Sequence, residues 1–267
     1  MNQTYSLPRN IICLTEESVE TLYAIGLQEI VKGVSIFVKR PAEAMNKPKV
    51  SAFTDSKIEK IVAMKPDLVI GFSDIQKDIA RELIEKGINV YISNQRSISE
   101  ILSYILTLTH MVGEAKKGQE LVEKLNQKIQ EIAKLSKELK HKPKVYFEEW
   151  DEPKISDIQW VSESIEIAGG INIFAKESEG KLAKERFVTD EQIIKANPDI
   201  ILGCWCGKKV NLESIKKRQS WQNIEAVKNN QLFELAPEIF LQPGPAPIID
   251  GLDQLFQIFK KWSDSQP

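Results

Sequence analysis

The sequence predicts an α/β protein of two lobes with mostly parallel sheets, joined by one long α-helix, and three observations carry that expectation. Glu114 to Lys140 reads as a single helix of 27 residues, because Leu121, Val122, Leu125, Ile129, Ile132, Ala133 and Leu139 recur at helical spacing among Lys, Glu and Gln. At the rise of an α-helix it would run roughly 40 Å, enough to tie two bodies together. The chain also repeats itself across that helix. Glu59, Pro66, Asp67 and Gly71 return as Glu191, Pro198, Asp199 and Gly203, every one displaced by 132 residues. Each copy is a short helix, a Pro-Asp turn that stops it and an aliphatic strand ending at glycine. Finally, apolar runs alternate with amphipathic ones on both sides of the helix, which favours parallel sheets with covered faces. The expected division is a first lobe over 1–113, the joining helix over 114–140 and a second lobe over 141–267.

In chain order, Asn10 to Leu14 is a buried strand. Thr15 and the acids after it start a helix from about Glu17 to Ile25, closed by Gly26. Val34 to Val38 and Lys49 to Phe53 read as strands parted by turns at Lys39-Arg40-Pro41 and Asn46-Lys47-Pro48. After the first Pro-Asp strand, Ile75 to Glu85 is a helix stopped by Gly87, Asn89 to Ser93 a strand and Ile98 to Val112 a helix. Past Pro143 the pattern restarts with a strand over Lys144 to Phe147, which opens into the acidic stretch Glu148 to Glu152. Trp160 is expected in the approach to a helix of Ser164 to Ala168, and Val188-Thr189 caps the second repeat helix. A basic helical segment follows Cys206-Gly207, and then come a last strand over Gln231 to Leu235, a proline-rich loop and a final helix from about Ile248 to Trp262.

Composition narrows the function. A chain of 267 residues, 42% apolar and 28% charged, can build two proper cores. A net charge of −2 and an isoelectric point near 5.9 argue against a nucleic-acid partner. Residues 1–10 have no apolar core resembling a signal peptide, and no run reaches the length of a membrane span. As it stands the chain reads as cytoplasmic; a removed leader would make it periplasmic or cell-surface. Cys13, Cys204 and Cys206 form no disulfide framework.

With the repeat, the joining helix and the motifs in place, the chain resembles the substrate-binding proteins of ABC importers whose two lobes are joined by one long helix. Within that group it is most similar to the vitamin B12-binding and siderophore- or haem-binding members. The resemblance rests on Ile11 to Gly26 with Glu20 near the helix centre, Ile58 to Val62 running into Pro66 to Ile70, and Gly87 to Val90. It continues through Ser162-Glu163, Ile167 to Gly170, Asn172 to Phe174 and Val188 to Gln192. It implies two Rossmann-like lobes and a non-enzymatic transport component, expected as a monomer. The ligand it implies is cobalamin-like or an iron chelate (siderophore or haem), held in the interlobe cleft. It also implies docking on an ABC permease through one exposed glutamate per lobe, matching Glu59 and Glu191. The alternatives are a cytoplasmic carrier or sensor of such a ligand without a permease, and an enzyme using acidic residues of the cleft.

Open α/β sheets take ligands beyond the C-terminal ends of their strands. The candidate ligand-binding residues there are Arg40, Phe72 and Arg96 in the first lobe, and Glu149, Trp150, Trp160, Trp205, Phe240 and Gln242 in the second. Their aromatics suit a large conjugated ligand, although they would equally cap the ends of two cores. Arg40 and Arg96 are placed to meet an anionic group. The Glu148 to Glu152 acids fit a solvated strand end better than acid–base chemistry, for want of a nucleophile or histidine beside them, while Trp150 with the acids would also suit a cationic group. Cys204 and Cys206 supply at most half of a zinc site, and neither a metal nor a cofactor is expected. The basic residues from Lys208 to Arg218 read as a solvated helical face.

Overall fold

The computed structural model describes residues 6–267; residues 1–5, part of the stretch read above for a signal-peptide core, lie outside the described residues. The chain forms two compact units. One comprises the chain up to Gln95, Ser99–Leu125 and Gln242–Pro245; the other comprises Arg96–Ile98, Asn126–Leu241 and Ala246–Pro267.

In the first unit β1 (Ile11–Cys13), α1 (Glu16–Ala24), β2 (Val31–Ser35), β3 (Lys49–Ser51), α2 (Ile58–Ala63), β4 (Leu68–Phe72), α3 (Lys77–Glu85) and β5 (Val90–Ser93) follow one another. They lead into α4 (Ile98–Met111) and α5 (Ala115–Ser136). The strands form one parallel sheet in the order β3-β2-β1-β4-β5. Ile12, Leu14, Val50, Ile61, Val69 and Leu83 make its core.

The second unit contains β6 (Lys144–Glu148), β7 (Trp150–Asp151), β8 (Lys154–Ile155), α6 (Gln159–Ile167), β9 (Ile171–Asn172), α7 (Asp190–Ala196) and β10 (Ile200–Gly203). After them come α8 (Leu212–Lys216), α9 (Glu225–Lys228), β11 (Leu232–Glu234), α10 (Pro237–Phe240) and α11 (Leu252–Ser265). Its parallel sheet runs β11-β10-β6-β9, and β7 and β8 form a separate antiparallel hairpin.

The 132-residue repeat is repeated in atomic detail. Each Pro-Asp strand lies in its own sheet, flanked by that sheet's first strand (β1 or β6) and by the strand that follows it in sequence (β5 or β11). Lys65 and Asn197 both take φ of 48°, the left-handed turn that ends each repeat helix. Asp67 Oδ2 accepts from Asn10 N at 2.8 Å while its own N–H returns to Asn10 O; Asp199 brackets Lys144 in the same way at the same distance. Gly71 and Gly203 leave no room for a Cβ, which would sit 2.5 Å from Gln76 Oε1 in one and 2.6 Å from Val210 in the other.

The structure also revises several expectations. The α5 helix has 22 residues and gives way after Ser136 to tight turns closed by Lys137 N–H to Lys134 O and Glu138 N–H to Leu135 O. Strand β2 ends at Ser35, so that Ile36 and Phe37 turn outward at 55% and 38% exposure. The last helix opens with a wider π turn over Pro247–Gly251 before α11. None of the helices among the described residues is long and apolar enough to cross a membrane.

Candidate ligand-binding site

Because the strands of each main sheet are all parallel, their C-terminal ends open on one edge of that sheet. At the edge of the first unit, Glu20 of α1 collects two partners. Arg40 Nε donates to its Oε1 at 2.7 Å, and Gln242 Nε2 donates to Oε2 at 2.9 Å. Gln95 Nε2 donates to Pro243 O at 3.0 Å, so the Gln242–Pro245 segment is held at two points. The amide oxygens of Gln95 and Gln242 are buried and find no hydrogen-bond partner, which leaves polar capacity at this edge. Beneath it Glu17 is fully buried, accepts from Thr15 Oγ1, and has its carboxyl pushed up to about 8, chiefly by burial. Phe72 is buried, with its N–H tied to Gln76 Oε1, and Arg96 is half-buried. A groove of about 450 Å³ also starts at this edge, lined by Ser73, Lys77, Arg81, Ile84 and Asn94 among others, but no aromatic residue lines it.

In the second unit the acidic stretch after β6 is not a solvated strand end, because each of its first three acids has a basic partner. Glu148 is fully buried in a bidentate pair with Arg218, at 2.6 and 2.9 Å. It also accepts from Tyr146 OH at 3.3 Å and from Trp205 Nε1 at 3.2 Å. Glu149 takes both Nη groups of Arg186, which is itself buried and donates to Ser156 O at 2.7 Å. Asp151 pairs with Lys208 at 2.6 Å. Burial works to raise the Asp151 carboxyl, yet hydrogen bonding and the charge of Lys208 hold it below the usual carboxylate range.

These pairings correct the reading of Lys208 to Arg218 as a solvated face. Lys208 and Arg218 lie outside α8, and Arg218 is only 17% exposed. Sequence reasoning missed both residues as site elements. The signal was there, since three acids within four positions at a strand end require counter-charges.

Of the expected aromatics, Trp150 is half-buried in the hairpin with its Nε1 donating to Glu152 O at 2.9 Å. Trp205 is buried with Tyr146, Trp221 and Ile215 in the unit's core. Trp160 is not in a loop: it lies inside α6, fully buried, and donates to Phe240 O at 2.8 Å. Phe240 is buried as well, in α10. Packing therefore takes up Trp160 and Phe240, and leaves Trp150 half-buried, with Lys208 Nζ 4.1 Å from the centroid of its ring. Cys204 is buried and Cys206 exposed, and the described residues contain no cluster fit to hold a metal.

Glu59 is 80% exposed in the first turn of α2, in an open pair with Lys86 at 3.0 Å. Glu191 is exposed in the first turn of α7, behind the capping box of Thr189 and Gln192.

Comparison with known proteins shows which family the chain belongs to. The chain is 27% identical over 255 residues to an uncharacterized ABC transporter substrate-binding lipoprotein of Bacillus subtilis, covering 93% of this chain and 79% of the relative. It is likewise 27% identical over 256 residues to the vitamin B12-binding protein of Vibrio cholerae, covering 94% and 88%. A crystal structure of a possible iron-binding, periplasmic solute-binding protein from Staphylococcus epidermidis superposes with a TM-score of 0.80 at 25% identity, covering 95% of this chain and 99% of that one. The family model for periplasmic binding proteins matches residues 11–239. The chain belongs to the periplasmic binding protein family.

Proposed function

We propose that the protein is the substrate-binding component of an ABC importer and that it carries a cobalamin-like ligand or an iron chelate without transforming it. The observation that carries this reading is the relationship to a vitamin B12-binding protein over nearly the whole of both chains. The site chemistry supports it. Trp150 is half-buried in the hairpin that follows β6, where a ligand that displaces Lys208 would meet its ring, and in the first unit Phe37 is exposed just past the C-terminal end of β2. A flat conjugated ligand gains burial and stacking from such faces. The engagement of Glu148, Glu149 and Asp151 by Arg218, Arg186 and Lys208 favours binding over acid–base chemistry, since no acid of this cluster is poised to move a proton. Arg40, Arg96, Phe72, Glu149 and Gln242 are proposed as the polar and apolar surround, with α5 as the stiff connector.

A Trp150→Ala variant is expected to lose about 1–3 kcal/mol of binding to the ligand, or one to two decades of affinity. Tryptophan fluorescence titration with cobalamin and with haem reads this, and an unchanged affinity for whichever ligand the wild type binds would remove Trp150 from the site.

We also propose Glu59 and Glu191 as the permease contacts, one in each unit. The Glu59→Ala, Glu191→Ala protein is expected to bind ligand as before and to fail to stimulate its permease's ATP hydrolysis. Loss of ligand affinity with an intact fold would overturn that assignment. Acids in the first turn of a helix also complement its dipole, so a loss of roughly 0.3–1 kcal/mol of stability per site is expected beside it.

A further inference from the structure

Two indole faces and a carboxylate converge on one ammonium group in the second unit. Lys208 Nζ lies 4.1 Å from the centroid of the Trp150 ring, 4.7 Å from that of Trp205 and 2.6 Å from Asp151 Oδ1. A cation over an aromatic face is drawn to the negative face of the ring, and paired aromatic walls with an acid are how proteins recognise ammonium groups. The walls are fixed independently of the lysine. Trp150 Nε1 is tied to Glu152 O and Trp205 Nε1 to Glu148, which Arg218 and Tyr146 hold in turn. Trp150 opens β7 two residues past the end of β6 and Trp205 lies two residues past the end of β10, and β6 and β10 are neighbours in the sheet, so both indoles lie just beyond the edge where such sheets take ligands.

The occupant is the least fixed member. Lys208 is 41% exposed and carries its ammonium on a flexible four-carbon stem, just after Gly207, whose φ of 77° is left-handed. An exposed lysine–aspartate pair is weak and screened. A cation arriving with a ligand can therefore take the lysine's place without disturbing the walls.

We propose that Trp150, Trp205 and Asp151 form a binding subsite for an ammonium group, primary or quaternary, and that Lys208 fills it in the ligand-free protein. The subsite adds to the corrinoid or iron-chelate reading a preference for a ligand carrying a positive group. It is testable with a probe that is neither, so its failure and the failure of that reading are distinguishable.

The experiment is a tryptophan fluorescence titration of the wild-type and Lys208→Ala proteins with choline and with its uncharged isostere 3,3-dimethyl-1-butanol. The Lys208→Ala protein is expected to give a saturable response to choline alone, and the wild type to respond about tenfold more weakly because its own tethered ammonium competes at millimolar effective concentration. Adding Trp150→Ala or Asp151→Asn to Lys208→Ala is expected to weaken choline binding at least tenfold again. The idea is overturned if Lys208→Ala, folded by circular dichroism, shows no saturable response to choline or responds equally to the alcohol. A second measurement needs no variant. In the wild type, the Lys208 ε-methylene proton resonance, displaced by the two indole ring currents, is expected to move toward its free-chain position as choline saturates; a resonance that stays in place would also overturn the proposal.

Discussion

Replacing Arg218 with alanine is expected to lower the unfolding free energy by about 3–5 kcal/mol, the largest loss foreseen for any single polar residue here. The reason is Glu148. Its carboxylate is wholly buried at the end of β6, and the guanidinium supplies two of its four hydrogen bonds, the others coming from Tyr146 and Trp205. Without Arg218 an ion remains inside the unit with only neutral donors. The Arg218 guanidinium also packs 4.2 Å above the Trp221 ring, so its removal opens the core beside Tyr146 and Trp221. Urea unfolding followed by tryptophan fluorescence measures the loss. A double variant, Glu148→Gln with Arg218→Met, is expected to recover much of it, because what destabilises is the orphaned charge rather than the missing bond. A change within about 0.5 kcal/mol for Arg218→Ala would return the residue to the class of ordinary surface positions.

Glu17 gives stability a pH dependence of its own. Its carboxyl is buried against the edge of the first unit and is pushed from the ordinary 4.5 up to about 8, first by burial and further by the charges of Glu16 and Glu20, against the opposing hydrogen bond from Thr15. Below pH 4.5 the group is protonated in the folded and unfolded chains alike, and its contribution to stability is fully present. As pH rises, the unfolded chain ionises first, so stability falls until the folded group ionises too near pH 8. Glu17→Gln removes this slope. Relative to wild type it is expected to gain stability progressively from about pH 4.5 to pH 8, by a total on the order of 3–5 kcal/mol at about 1.4 kcal/mol per unit. Thermal unfolding of the two proteins across that range checks the sign and the size. Parallel curves would show that Glu17 ionises in the folded chain much as it does in water.

The parts of the fold legible in the sequence are those set by local backbone chemistry. In each copy the left-handed turn (Lys65, Asn197), the bracketing carboxylate (Asp67, Asp199) and the close approach (Gly71, Gly203) fall within one short stretch, although the carboxylates bracket Asn10 and Lys144, 57 and 55 positions away. A repeat of those residues was therefore visible as a repeat of structure. The Val34 to Val38 run misled because it is apolar without being a strand throughout: the sheet stops at Ser35 and leaves Ile36 and Phe37 facing water.

The site was less legible because its partners are far apart along the chain. Arg218 reaches Glu148 across 70 positions, Trp160 reaches Phe240 across 80 and Gln242 reaches Glu20 across 222. No local pattern marks such pairs. Trp160 looked like a loop residue because the helix around it starts earlier than its apolar periodicity suggests, at Gln159, and buries the indole on its inner face. Lys208 was hidden among lysines that do face solvent, and only the geometry of Trp150 and Trp205 singles it out.

Calorimetric titration of the purified protein with cobalamin, with haem and with a ferric hydroxamate tests the central claim most directly. The expected result is saturable binding of at least one of the three, accompanied by quenching of tryptophan fluorescence, with the ligand recovered chemically unchanged. Failure of all three to bind a folded sample would contradict the proposed ligand class, and recovery of a converted product would contradict a role in binding alone.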